Sequence, residues 1–284
     1  MATAGAGQRV RSRDPGAGSG ESETVNGTVH LQLAGESALV VLDSPGRLNA
    51  ISESMWQSLA RIFETIAATP EPRVVVVRGA GRNFAAGADI DEFERVRGDP
   101  ASGRRYHLET IANALAAISG CPVPVIAAIE GVCVGGGLEV ALACDLRIAA
   151  AGARIGAPVG RLGFPFALPE LVPLLRLVGP GVAAELLLEG RLLDADEAAA
   201  RGLVTRAVPV DRFEAEVHDC VTRVTAGSPR SARENKANIR RLTATGGAYT
   251  EHELDASFAF LESDDYREGV AAFRAKRPAR FTGR

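Results

Sequence analysis

Lysine is nearly absent from this 284-residue chain: Lys236 and Lys276 are the only two, and arginine carries almost all the positive charge. That skew reads as coding bias rather than a binding signature. With a formal net charge of −3, the chain lacks the basic footprint of a nucleic-acid binder, although basic residues cluster near the C-terminus. Cysteine is also sparse. Cys121, Cys133, Cys144 and Cys220 fit no zinc spacing and sit in or beside apolar runs, which predicts buried thiols in a reducing compartment. No uninterrupted apolar run of about 18 residues exists, so no transmembrane helix and no membrane partner are expected. The N-terminus has no apolar signal core. Residues 1–24, rich in Gly, Ser and Arg, read as a disordered tail, with a transit peptide as the alternative. A cytoplasmic location is the corresponding expectation.

What is present is ordinary for a globular protein, at 46% hydrophobic and 24% charged residues. Val29, Leu31 and Leu33 alternate with polar neighbours as in a half-buried strand, and Ala38–Leu42 reads as a second strand. Ser52 is a predicted N-cap for the helix carrying Met55, Trp56, Leu59, Phe63 and Ile66. Arg73–Arg78 and Val125–Ile129 read as strands and Arg105–Ser119 as a helix. The short strands Asp145–Ala149 and Arg154–Ala157 precede a helix over Pro169–Leu177. This alternation predicts an α/β fold of repeated β-β-α units. Asp194 and Glu197 resemble a capping box. From Asp211, taken as a cap for Phe213–Thr225, only helices are expected. The predicted organisation is a tail (1–24), an α/β core (25–210) and a C-terminal helical region (211–284). Phe258, Phe260 and Phe273 in that last region would need a surface to pack on, which suggests an oligomer interface.

Three glycine-rich stretches could carry chemistry. Gly79-Ala80-Gly81-Arg82-Asn83-Phe84 misses the dinucleotide fingerprint at its third glycine, where Phe84 stands, so a nicotinamide enzyme is disfavoured. Phe84–Ile90 (FAAGADI) is a small-residue loop whose amides a ligand could approach. In Gly131–Leu146 (GVCVGGGLEVALACDL), three glycines precede an apolar helix with Glu139 in its first turn. Glu139 can be read as dipole compensation or as a general acid/base beside an oxyanion hole.

Taken in order, Asp43–Ser52 (DSPGRLNAIS), Phe84–Phe93 (FAAGADIDEF) and Ile129–Ile148 (IEGVCVGGGLEVALACDLRI) resemble the enoyl-CoA hydratase/isomerase, or crotonase, family. The resemblance runs from about Val25 to the C-terminus. It implies a crotonase-like β-β-α superhelix with a C-terminal helical region that assembles trimers or dimers of trimers. It further implies acyl-CoA chemistry through a stabilised thioester enolate, as in fatty acid metabolism. CoA would enter as part of the substrate, with no metal and no separate cofactor. By the same resemblance, the Ala88 and Gly136 amides form the oxyanion hole and Glu139 is a catalytic acid/base. Leu48, Ala50, Ala86, Asp89 and Ile90 would lie along the CoA, and Phe273 and Lys276 would reach the CoA of a neighbouring subunit.

One departure matters. The second glutamate of the hydratases is expected just after a proline, and here Pro158 is followed by Val159. Glu139 could then act alone, or an acid from elsewhere could replace the missing one, with Glu130, Asp91 and Glu92 nearest by motif. The reaction could instead be isomerisation, decarboxylation, thioester hydrolysis or C–C cleavage, or the chain could be a catalytically weak CoA-ester binder. His107 reads as a surface or hydrogen-bonded structural histidine, with substrate contact as the alternative. Arg161 reads as a surface residue, with recognition of a carboxylated acyl group as the alternative.

Overall fold

The computed structural model describes residues 27–284, so the tail expected over 1–24 lies outside the described residues. Strands β1 (Thr28–Ala34) and β2 (Ser37–Asp43) form an antiparallel hairpin that turns at Gly35, whose φ of 57° suits glycine. Helix α1 (Glu53–Ala68) follows, capped as predicted by Ser52, whose hydroxyl accepts from Met55 N. Next come β3 (Val74–Gly79), α2 (Phe93–Arg97), α3 (Pro100–Arg105) and α4 (Ala112–Gly120). Two strand–strand–helix turns then repeat. The first is β4 (Val125–Ile129), β5 (Val132–Val134) and α5 (Gly136–Ala143). The second is β6 (Leu146–Ala150), β7 (Arg154–Gly156) and α6 (Leu168–Ala184). After α7 (Ala195–Ala200) and β8 (Arg206–Val208) the described chain is helical: α8 (Phe213–Thr225), α9 (Pro229–Ala244), α10 (Glu251–Ala256) and α11 (Asp264–Arg274).

The main sheet has the order β1-β2-β3-β4-β6-β8 and is parallel from β2 onward, while β5 and β7 pair in a small second sheet. Both faces of the main sheet are covered, as parallel sheets require. The valine run of β3 shows this by its period of two. Val75 and Val77 pack with Trp56, Leu59, Phe63 and Leu138 on one face. Val74 and Val76 pack with Phe213, Val217 and Cys220 of α8 on the other. All four cysteines are free and buried.

Several local expectations need correction. The helix expected over Arg105–Ser119 starts earlier and is interrupted by a π turn, Tyr106–Ile111. Asp211 does not cap α8; a 3₁₀ turn, Val210–Arg212, runs straight into it. Leu168–Glu189 is long and apolar enough, by length and composition, to cross a membrane. It holds no uninterrupted apolar run of that length, because Glu170, Arg176 and Glu185 punctuate it. Its backbone leaves helical geometry at Gly179 (φ 71°, ψ 174°).

Candidate active site

One cavity gathers the chemistry. Trp56 Nε1, Arg97 Nε and Glu139 Oε2 are the buried side-chain polar atoms without a hydrogen-bond partner among the described residues. All three residues line the same cavity of about 90 Å³. Buried polar atoms are normally paired, so three orphans around one cavity mark a place built for a ligand.

The first wall is made by backbone. Gly135 takes φ 51° and ψ −118°, a conformation L side chains rarely adopt, and turns the chain from β5 into α5. A Cβ on Gly136 would lie 2.9 Å from Trp56 Cζ2 and 3.3 Å from Ala88 N. A Cβ on Gly137 would lie 2.4 Å from Ala85 O. The glycines therefore have different jobs: one turns the chain, and two admit close approach of the 85–88 loop. That loop is fixed in turn by Ala86 N donating to Leu48 O (2.9 Å), Ile51 N to Gly87 O (2.7 Å) and Asp89 N to Ile51 O (3.0 Å). The Ala88 amide is left without an acceptor among the described residues, and the Gly136 amide is one of the free first-turn donors of α5. Both residues line the cavity.

Glu139 sits one turn along α5 and is buried. Burial, and next the neighbouring Glu170 carboxylate, push its pKa well above the ordinary carboxylate range, while Arg97 opposes the shift. Behind it, the buried Arg147 guanidinium donates to Cys144 O (2.6 Å), Ala141 O (3.3 Å) and Leu203 O (3.0 Å). A cation thus holds the last carbonyls of α5 and keeps the helix in register.

The opposite wall is made by side chains from distant segments. Val159, at the position where the resemblance implies a second acid, is buried and lines the cavity. The acid that faces Glu139 is Glu170, on α6, which is only 3% exposed. Its Oε1 lies 2.6 Å from His107 Nδ1. His107 belongs to the π turn, whose extra residue per turn re-aims side chains and recurs at functional sites. His107 is therefore a cavity residue rather than a surface one. A second cavity, of about 290 Å³, lies behind the same Glu139, Glu170 and His107 and opens among α4, α5 and α6.

The acids nearest by motif are engaged elsewhere. Glu130 pairs with Arg78 at 3.2 Å, Asp91 with Arg47, and Glu92 with Arg95 at 2.8 Å, and none of these acids lines the cavity. Glu170 carries the same sign as Glu139, a lone carboxylate in an apolar helix (LPELVPLL), and could have been found by it.

Comparison with known proteins agrees with this architecture. A sequence profile described as Enoyl-CoA hydratase/isomerase matches residues 35–284. The chain belongs to the enoyl-CoA hydratase/isomerase family. Among solved structures, an enoyl-CoA hydratase/carnithine racemase of Magnetospirillum magneticum superposes with a TM-score of 0.88 at 46% identity, over 90% of this chain and 96% of that one. An enoyl-CoA hydratase of Bacillus anthracis gives 0.81 at 30% identity, over 90% and 100%. A Rhizobium meliloti protein named a probable enoyl-CoA hydratase is 33% identical over 260 residues, 90% of this chain and 98% of its own. The chain is thus a hydratase/isomerase-family enzyme with a crotonase-like fold.

The other predicted site residues of this family enzyme fall into three groups. Ala86 and Ile90 line the cavity together with Ala88, Gly136 and Glu139. Leu48 and Ala50 do not line it. Between them Asn49, buried at φ 59°, accepts from Ser44 N (3.1 Å) and donates to Ala80 O (2.9 Å) and Asn83 O (2.8 Å), locking the loops together. Asp89 is held by Arg47 at 2.6 Å and caps the turn at Ile90. Phe273, 87% exposed, lines a separate groove between α9 and α11, away from the cavity of its own chain. Lys276 follows α11 at φ 52° and lines neither cavity. Arg161 points to Gly190 O (3.2 Å), not into the cavity. The Gly79 turn of the near-miss fingerprint is packed tight: a Cβ there would lie 1.9 Å from Asn83 O.

Proposed function

We propose that this enzyme hydrates a short enoyl-CoA, using Glu139 and Glu170 as its acid/base pair. The observation that carries the reading is the convergence of both carboxylates and the free Ala88 and Gly136 amides on one cavity. The amides polarise the thioester carbonyl and hold the negative charge of the enolate. One such donor is worth about 3–4 kcal/mol in the transition state. Glu170, oriented by His107, takes a proton from water as the water oxygen bonds to Cβ. Glu139, which keeps its proton to higher pH, delivers that proton to Cα as the enolate collapses. The proton on Glu170 then returns to Glu139, since two interacting carboxylates share their protons. Water can reach Glu170 from the second cavity while the acyl chain fills the first. Leu48, Ala50, Asp89, Phe273 and Lys276 remain proposed CoA contacts, the last two across a subunit boundary of a trimeric assembly.

The apolar Val159 beside Glu139 favours a second reading, double-bond migration, in which Glu139 alone moves a proton between Cα and Cγ. Mass separates the two. Incubation with crotonyl-CoA should yield a product heavier by one water, and Glu170→Gln should slow that gain about 10²-fold. A substrate such as 3-enoyl-CoA converted at constant mass, with hydration absent, would select isomerisation instead.

A further inference from the structure

Among the described residues Arg97 is the one arginine or lysine on the cavity wall; it bears on the Glu139 carboxyl through its charge but has no part in the proposed proton transfers or in the oxyanion hole. It stands at the end of α2, with its guanidinium 4.2 Å from the Phe93 ring centroid, 4.9 Å from Phe164 and 5.2 Å from Tyr106. The Phe93 and Phe164 rings meet edge to face at 5.9 Å, so the cage around the guanidinium is itself packed. Aromatic faces hold a guanidinium in place without consuming its N–H donors. Among the described residues Arg97 donates no hydrogen bond and forms no ion pair, and its Nε is buried. By contrast, Arg47, Arg78, Arg95, Arg191 and Arg277 each pair with a carboxylate.

We propose that Arg97 recognises a carboxylate on the acyl group, so that the preferred substrate is a short enoyl-CoA bearing a second, free carboxyl group. This rests on the reading of the cavity as the acyl site. The planar fork of Arg97 would grip that carboxylate through two parallel N–H···O bonds, in a setting where charge-assisted bonds are strong. Arginine would serve better than lysine here because only a planar cation can both stack on Phe93 and Phe164 and present paired donors. A third anion can enter beside Glu139 and Glu170 because Glu139 holds its proton and Arg97 is not neutralised by a bridge to either. The small cavity fits a short chain, and its one free cation gives that chain's far end something to bind.

Equilibrium binding of two saturated, unreactive esters to the wild type tests this without turnover. Glutaryl-CoA should bind about tenfold or more tightly than butyryl-CoA. Arg97→Gln should erase that preference and Arg97→Lys should keep only part of it, while Arg161→Gln keeps it in full. Turnover of glutaconyl-CoA against crotonyl-CoA should change in the same ratio. Equal wild-type affinity for the two esters would overturn the proposal, whether or not Arg97→Gln folds. So would an Arg97→Gln variant that loses both substrates in equal proportion together with a displaced pH profile, because Arg97 would then serve only the carboxylate pair. Hydration reads out separately: tight glutaryl-CoA binding without water addition would sink the proposed reaction and leave the acyl carboxylate site standing.

Discussion

The two walls of the cavity are built on different principles. The wall of Gly87–Ala88 and Gly135–Glu139 is a backbone device, where two loops approach so closely that side chains are excluded. The wall of Arg97, His107, Val159 and Glu170 is a side-chain device, assembled from α2, a π turn, a 3₁₀ turn and α6. In the proposed reaction the first holds a charge that develops on the substrate. The second, by the same proposal and our further inference, supplies a base and selects the acyl group. A backbone wall tolerates no substitution because its geometry is its function. A side-chain wall can be rewritten residue by residue, which is how one fold serves several reactions.

The largest expected effect joins the two walls. Glu139→Gln should lower kcat by about 10³-fold or more, as loss of a general acid does. The same variant should be more stable than the wild type. The Glu139 carboxyl is held above its ordinary value of 4.5, so above that pH the folded chain keeps a proton that the unfolded chain releases. Stability contributed by this group therefore falls as pH rises from 4.5 toward the folded value. The melting-temperature gain of Glu139→Gln should widen over that window, and a constant gain from acid to about pH 8 would show the carboxyl is not perturbed.

Next comes the backbone wall by itself. Gly136→Ala should cost about 10²–10³ in kcat, because the added methyl would press on Trp56 and crowd the Ala88 amide. Retention of most activity in stopped-flow assays would mean that the amide pair does not hold the reacting oxygen. On the other wall, Glu170→Gln should cost about 10²-fold. His107→Asn should cost about tenfold less than that, with a shifted acidic limb, since His107 orients Glu170 and does not meet the substrate carbon. A Glu170→Gln, Val159→Glu double variant sharpens the comparison: partial recovery of water addition would show that the base can be moved along the side-chain wall.

Behind the walls, Arg147→Met should destabilise the fold by about 3 kcal/mol in denaturant titration, by freeing the buried carbonyls of Ala141, Cys144 and Leu203. Phe273→Ser should barely alter the melting of the core. If Phe273 lies in a subunit contact, light scattering should show weakened self-association; an unchanged mass would place that contact elsewhere.

The backbone wall was legible because its constraint is local. A run such as Gly135-Gly136-Gly137-Leu138-Glu139 is costly unless the chain turns sharply and something approaches closely, so the cost itself announces the site. A helix cap was legible for the same reason at Ser52, whose hydroxyl accepts from the amide three residues on. The cap assigned to Asp211 failed because the tertiary path continued a 3₁₀ turn into α8 instead. The acid partner was not legible by spacing. Asp91, Glu92 and Glu130 stand closer to the motifs than Glu170, yet Asp91 and Glu130 are drawn off by arginines that folding brings from other segments, and Glu92 by Arg95 three residues on.

By itself, then, the sequence determined the β-β-α alternation, the family, the glycine-rich loops of the cavity and one of its carboxylates, since each depends on residues adjacent in the chain. The tertiary structure alone decided that Glu170 faces Glu139 and that Arg97 stands on three aromatic rings with no ion pair among the described residues. His107 and Glu170 are 63 positions apart, and what joins them is the π turn before α4 packing near the start of α6. Contacts of that kind come from burying helix faces against one sheet, and no short-range pattern in the sequence records where those faces meet.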